Sequence, residues 1–120
     1  MSLTSTPAIF GSSRRTEVLV LLALVEESYP REIARLLRAP LLSIQTIVDS
    51  LEREGILTTR LVGNQRRVTL NPRYYGVRQL KDFLLRLSEG YPELQNTVNE
   101  LRRRPRRRGK SIWQLPNTVR

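Results

Sequence analysis

A chain of 120 residues, 39% apolar and 27% charged, has the size and balance of one globular domain. It contains no cysteine and no histidine, which excludes disulfides, thiolate metal sites, cysteine nucleophiles and the commonest general base and metal ligand. The eleven acids are scattered and mostly stand beside arginines, so the chain is expected to be no enzyme and to use no cofactor and no metal.

The charge is 21 basic against 11 acidic residues, net +10. Residues 1–100 carry 13 basic and 11 acidic groups, whereas residues 101–120 carry 8 basic groups and no acid. A nearly balanced domain therefore bears a basic tail. Nineteen of the cations are arginine, the side chain suited to bidentate phosphate and guanine contacts. The longest apolar run, Val18 to Val25, has eight residues, well short of the roughly eighteen a membrane span needs. The first residues lack a charged start and an apolar centre, so a cytoplasmic protein without a membrane partner is expected.

In chain order, residues 1–12 are expected to be a flexible lead-in, with Ile9 and Phe10 as an apolar plug ahead of a serine cap. A first helix follows, about Arg14 to Glu27, whose centre is apolar on all sides and so must be buried by neighbours. Strand is the rival for such a run, but the polar flanks and the length favour helix. Pro30 opens a short second helix through Leu37, with Ile33, Leu36 and Leu37 on one face. After a break at Arg38-Ala39, Pro40 opens a third helix. Its residues Leu41, Ile44, Ile47, Val48 and Leu51 turn inward, and Gly55 stops it.

From Ile56 the period changes to two. Residues 57–62 and 66–70 are expected as strands joined by the turn Gly63-Asn64-Gln65. A long helix from about Arg73 to Ser88 carries Val77, Leu80, Phe83, Leu84 and Leu87 on one stripe, and a last helix runs from about Pro92 to Arg104. Residues 105–120 have no core pattern and are expected to be a basic, disordered tail.

Three helices, the last two short and closely connected, then a hairpin, form the layout of a winged helix-turn-helix. The expected fold is mainly α with a small β-hairpin, residues 13–72 making that domain and residues 73–104 adding C-terminal helices. The segment Arg31-Glu32-Ile33-Ala34-Arg35-Leu36-Leu37, the helix to Leu51, and the closing Leu51-Glu52-Arg53-Glu54-Gly55-Ile56-Leu57 resemble the ArsR/MarR-type winged-helix regulators. The turn Gly63-Asn64-Gln65-Arg66-Arg67 and the exit Leu70-Asn71-Pro72 are similar to their wing. The start Pro40-Leu41-Leu42-Ser43 departs from that pattern, which usually has a serine cap and small polar residues. Metal sensing, known in ArsR relatives, has no thiols or imidazoles to rest on here.

The resemblance implies a transcriptional regulator of double-stranded DNA whose third helix enters the major groove. The groove-facing candidates are Leu42, Ser43, Gln45, Thr46, Asp49 and Ser50. Gln45 suits bidentate adenine contact; Asp49 suits cytosine or a pairing with Arg53. The wing candidates are Arg60, Asn64, Gln65, Arg66 and Arg67. The tail candidates for the DNA backbone are Arg102, Arg103, Arg104, Arg106, Arg107, Arg108 and Lys110. Val77, Leu80, Phe83, Leu84 and Leu87 are expected to form the seam of a homodimer, with packing on the first helix as the alternative. Two rival readings stay open: an RNA-binding or ribosome-associated winged helix, and a protein-interaction module without base recognition.

Overall fold

The computed structural model of the chain describes residues 9–103. Its helices are α1 (Ser13–Val25), α2 (Pro30–Leu37), α3 (Leu41–Arg53), α4 (Val77–Leu87) and α5 (Pro92–Arg103), with a 3-10 turn at Ser88–Gly90. The strands are β1 (Glu27–Ser28), β2 (Leu57–Val62) and β3 (Gln65–Leu70). The molecule is mainly helical, with one small antiparallel sheet in the order β1-β3-β2.

The axis of the fold is α1. Val18, Leu19, Val20, Leu21 and Leu22 are wholly buried, and α2, α4, α5, β1 and β3 all pack on this helix. Full burial of each such side chain is worth about 1.5–3 kcal/mol, so the all-round apolar sequence is the reason α1 lies inside. Its start is capped: the Ser12 side chain accepts from the Arg15 amide, and Thr16 Oγ1 donates to the Ser12 carbonyl. Arg15 adds a bond from Nε to the Phe10 carbonyl at 2.6 Å, and the Phe10 ring lies 6.2 Å from that of Phe83. Residues 10–12, expected as part of a flexible lead-in, are thus tied to the domain; residues 1–8 lie outside the described ones.

The first helix stops two residues earlier than expected because Glu26 turns to φ 75 and directs the chain into β1. Glu27 and Ser28 pair with Thr69 and Val68 of β3, adding a third strand to the expected hairpin. Buried Ser28 donates to Glu32 Oε1 at 2.6 Å. This places a carboxylate in the first turn of α2, where the helix dipole favours negative charge. Arg38, in the left-handed conformation, ends α2. Pro40 is the residue before α3 rather than its first, and no side chain caps that helix.

The hairpin turn is shorter than expected. Gln65 pairs with Val62 and opens β3, leaving Gly63 and Asn64 as a two-residue turn with Gly63 at φ 63, a position where a side chain would be strained. Asn71 fastens the hairpin's exit to the turn that joins α3 to β2, its backbone N–H donating to the Ile56 carbonyl and its Nδ2 to that of Gly55. The following helix starts at Val77 rather than near Arg73, because residues 71–76 form turns that end in Gly76 at φ 80.

The stripe on α4 requires a correction. Leu84 is wholly buried in the single chain, and Leu80 and Leu87 pack against the same core, since α4 lies along α1. Val77 is half-buried, and only Phe83 is substantially exposed, at 45%. The apolar surface assigned to a dimer seam is mostly covered by the chain's own first helix. Leu84→Ala is therefore expected to lower stability by about 2–5 kcal/mol, with a urea midpoint that does not change with protein concentration. A midpoint that rises with concentration would return Leu84 to an interface between copies.

Candidate nucleic-acid interface

The outward side of α3 follows from the inward one. With Ile44, Val48 and Leu51 buried, Leu42, Thr46, Asp49 and Arg53 recur every three or four residues on the opposite side and are all exposed. Leu42 is 73% exposed. Ser43 lies beside this stripe and is exposed, while Gln45 is half-buried on its flank. Among the described residues, Ser43, Gln45 and Thr46 make no side-chain hydrogen bond, which leaves their donors and acceptors free for an incoming partner.

The two remaining groove candidates are engaged within the chain. Ser50 accepts from Arg15 at 3.0 Å, and Arg15 continues to Glu54 at 2.8 Å. Asp49 accepts from Arg66 of β3 at 2.8 Å, and the same guanidinium nitrogen donates to Glu52 at 3.0 Å. Thr59 of β2 adds a bond to the other oxygen of Glu52 at 2.8 Å. Asp49 is therefore a strut between α3 and the hairpin rather than a partner of Arg53. This bracing uses the C-terminal half of α3, and the free polar groups are left on its N-terminal half.

The wing cations are paired as well. Arg60 and Arg67 stand opposite each other in the register, on the face away from Val68, as strand alternation predicts. Both meet Glu27 of β1, at 3.1 and 3.6 Å, and the Arg67 guanidinium also lies 5.8 Å from the centre of the Tyr29 ring. Strand β1, which the hairpin pattern did not announce, supplies their counter-ion. Asn64 is exposed at the tip, and Gln65 is half-buried in β3.

The tail is divided. Arg102 and Arg103 belong to α5, where Arg102 donates to the Leu24 carbonyl and Arg103 pairs with Glu100 at 2.8 Å. Arg104, Arg106, Arg107, Arg108 and Lys110 lie outside the described residues.

Sequence reasoning did not single out the cations that are free. Among the described residues, Arg31, Arg38, Arg53, Arg73 and Arg78 are exposed and form no salt bridge. Arg31 and Arg38 bracket α2 just ahead of α3. Arg31 also borders an open depression of about 480 Å3 between Tyr29, Arg35, Ala39 and Leu41. For Arg31 and Arg38 the signal that could have found them is the absence of an acid three or four residues away within α2; Arg53 and Arg78 do have one, Asp49 and Asp82, so for them the spacing gave no signal. No group of metal-ligating side chains is assembled among the described residues, and no described helix is long and apolar enough to cross a membrane.

No family profile, curated protein or solved structure matches this chain.

The strut can be measured. In a double-mutant cycle, Arg66→Met and Asp49→Asn should show a coupling of about 0.2–1 kcal/mol in urea unfolding, the size typical of partly exposed pairs. Additive effects of the two substitutions would show that the wing is not tied to α3 through this pair.

Proposed function

We propose that the chain is a winged helix-turn-helix transcriptional regulator that binds double-stranded DNA. The N-terminal half of α3 lies in the major groove, and α2 crosses the phosphate backbone. The observation that carries this reading is the free polar face at Ser43, Gln45 and Thr46 on that half of α3, preceded in the chain by the unpaired Arg31 and Arg38 of α2 and its end, with Arg31 and Leu41 lining one depression. In helix-turn-helix docking the N-terminal residues of the recognition helix meet base edges while the preceding helix crosses the backbone. The order of brace helix, outward helix and hairpin supports the reading, as does the fastening of the hairpin to α3 by Arg66 and Thr59.

The residue roles follow from chemistry. Gln45 and Thr46 offer hydrogen bonds to base edges, Ser43 reaches a base or a phosphate, and Leu42 suits a thymine methyl group. Arg31, Arg38 and Arg53 hold phosphates, which fixes register without reading sequence. The five cations between Arg104 and Lys110 add backbone attraction. Two-fold pairing stays in the proposal on a smaller surface, the outer edge of α4 at Phe83 and Leu85, both exposed. Cytoplasmic action is part of the same reading.

Selection of bound duplexes from a random library tests the reading, with a palindromic consensus expected. On the selected duplex, Gln45→Ala or Thr46→Ala should weaken binding by roughly 1–3 kcal/mol per lost base contact while leaving binding to random duplex unchanged. Equal losses on both duplexes would show that α3 does not read sequence. Parallel titration of structured RNA separates the alternative in which the tail and α2 serve an RNA partner. Truncation after Arg103 leaves α5 and its bond to Leu24 intact. If about three of the removed cations engage phosphates, the slope of log affinity against log salt should flatten by roughly 3 units. An unchanged slope would remove the tail from the interface.

A further inference from the structure

The hairpin carries no surplus charge. Its three arginines face three carboxylates, Glu27, Asp49 and Glu52. Next to exposed Asn64 at the tip, two apolar side chains stand open to solvent: Leu61 is 75% exposed and Val62 46%. Pairing with Arg66 and Gln65 fixes them as the last two residues of β2, on opposite faces of the ribbon. The tip ends in Gly63 and Asn64 alone, with open space around Gly63, so it is narrow. Its mount is firm, because Arg66 and Thr59 anchor the ribbon to the flank of α3. A hairpin meant to grip phosphates would carry free cations here. This one has its arginines paired with carboxylates of β1 and α3 and presents two branched aliphatic side chains on a braced arm.

We propose that the hairpin tip is an apolar wedge for the minor groove of duplex DNA. Leu61 enters between two base pairs, with Val62 packing from the other face of the tip, partly unstacks them and bends the duplex. The proposal rests on the reading that α3 occupies the adjacent major groove. Duplex DNA is the occupant favoured by the charge pattern. The chain is net +10, and the free Arg31, Arg38 and Arg53 belong to α2, its end and α3 rather than to the arm. Attraction to phosphate therefore comes from the helices, and the arm is left to make apolar contact. Apolar side chains inserted from the minor groove open base steps in this way, and pyrimidine–purine steps open most readily.

The test uses the full chain and a duplex of about 30 base pairs with one TA step, dyes at both ends and 2-aminopurine at the step. Binding by the wild type should shorten the end-to-end distance, consistent with a bend of roughly 20–90°, and brighten the 2-aminopurine. Leu61→Thr with Val62→Thr places a β-branched strand former at both positions, so the hairpin should persist by circular dichroism. That variant should lose both signals and bind roughly threefold to thirtyfold more weakly, since lost contact and avoided unstacking partly offset each other. Tyr75→Ala, which removes a large exposed side chain from the turns ahead of α4, should retain both signals. Wild-type binding without either signal, or bending that survives the double variant, overturns the wedge and leaves the DNA reading standing. Duplex binding no stronger than that of a peptide spanning residues 102–120 overturns the DNA reading and the wedge together. If sedimentation with anionic phospholipid vesicles is lost in the double variant while duplex bending persists, the tip belongs to a membrane surface and the wedge is wrong.

Discussion

The structure depends on one requirement: the apolar run from Val18 to Val25 has to be kept from water on every side. No single neighbour can cover a helix all round, so the rest of the chain is arranged around it. Helix α2 and the small sheet take part of its circumference, and α4 and α5 take another. This explains why residues 73–103 are integral to the domain and not an appendage. Leu84, Leu94 and Val98 are buried in the same core as Leu19 and Leu22. An amphipathic helix beside an incompletely covered core packs there first, before it is available to a second copy.

Electrostatics determines the character of the surface. Residues 9–103 carry 15 basic and 11 acidic groups, a small excess, but the pairing is uneven. Around the hairpin every arginine has a carboxylate, and these contacts orient the arm at the flank of α3. Arg31 in α2, Arg38 just after it and Arg53 at the end of α3 form no salt bridge, whereas Arg35 of α2 lies 3.9 Å from Glu32. Exposed pairs of this kind contribute little to stability, about 0–1 kcal/mol each. Their larger effect is on function, since they decide which cations are available to a polyanion and which hold geometry. The same pairing turns Asp49, which would repel phosphate if free, into part of the arm's mounting.

The proposed recognition surface accordingly has two chemically distinct parts. The first turns of α3 and the ends of α2 offer polar contacts and charge. The arm offers shape and apolar contact. On the proposed reading, the first part would read sequence in one groove and the second deformability in the other.

Much of this was legible in the sequence, for reasons that lie in local periodicity. The 3.6-residue pattern around Ile44, Val48 and Leu51 fixed which side of α3 is outward, and the alternation around Val68 fixed which way Arg60 and Arg67 point. The apolar run of α1 announced its own burial, and Pro30 and Gly55 marked helix boundaries by their backbone geometry. What tertiary structure decided are the partners. Strand β1 is two polar residues long, too short for any pattern, and exists because β3 offers it an open edge; yet it supplies the carboxylate that engages two wing arginines. The stripe on α4 could equally suit a second copy or the first helix, because amphipathicity specifies that a face is covered and not by what. The pairing of Arg66 with Asp49 and Glu52 joins residues 14 and 17 positions apart, on a helix and a strand whose relative placement no local signal encodes. Sequence determined which faces are buried and which groups are charged; long-range packing determined which charges meet.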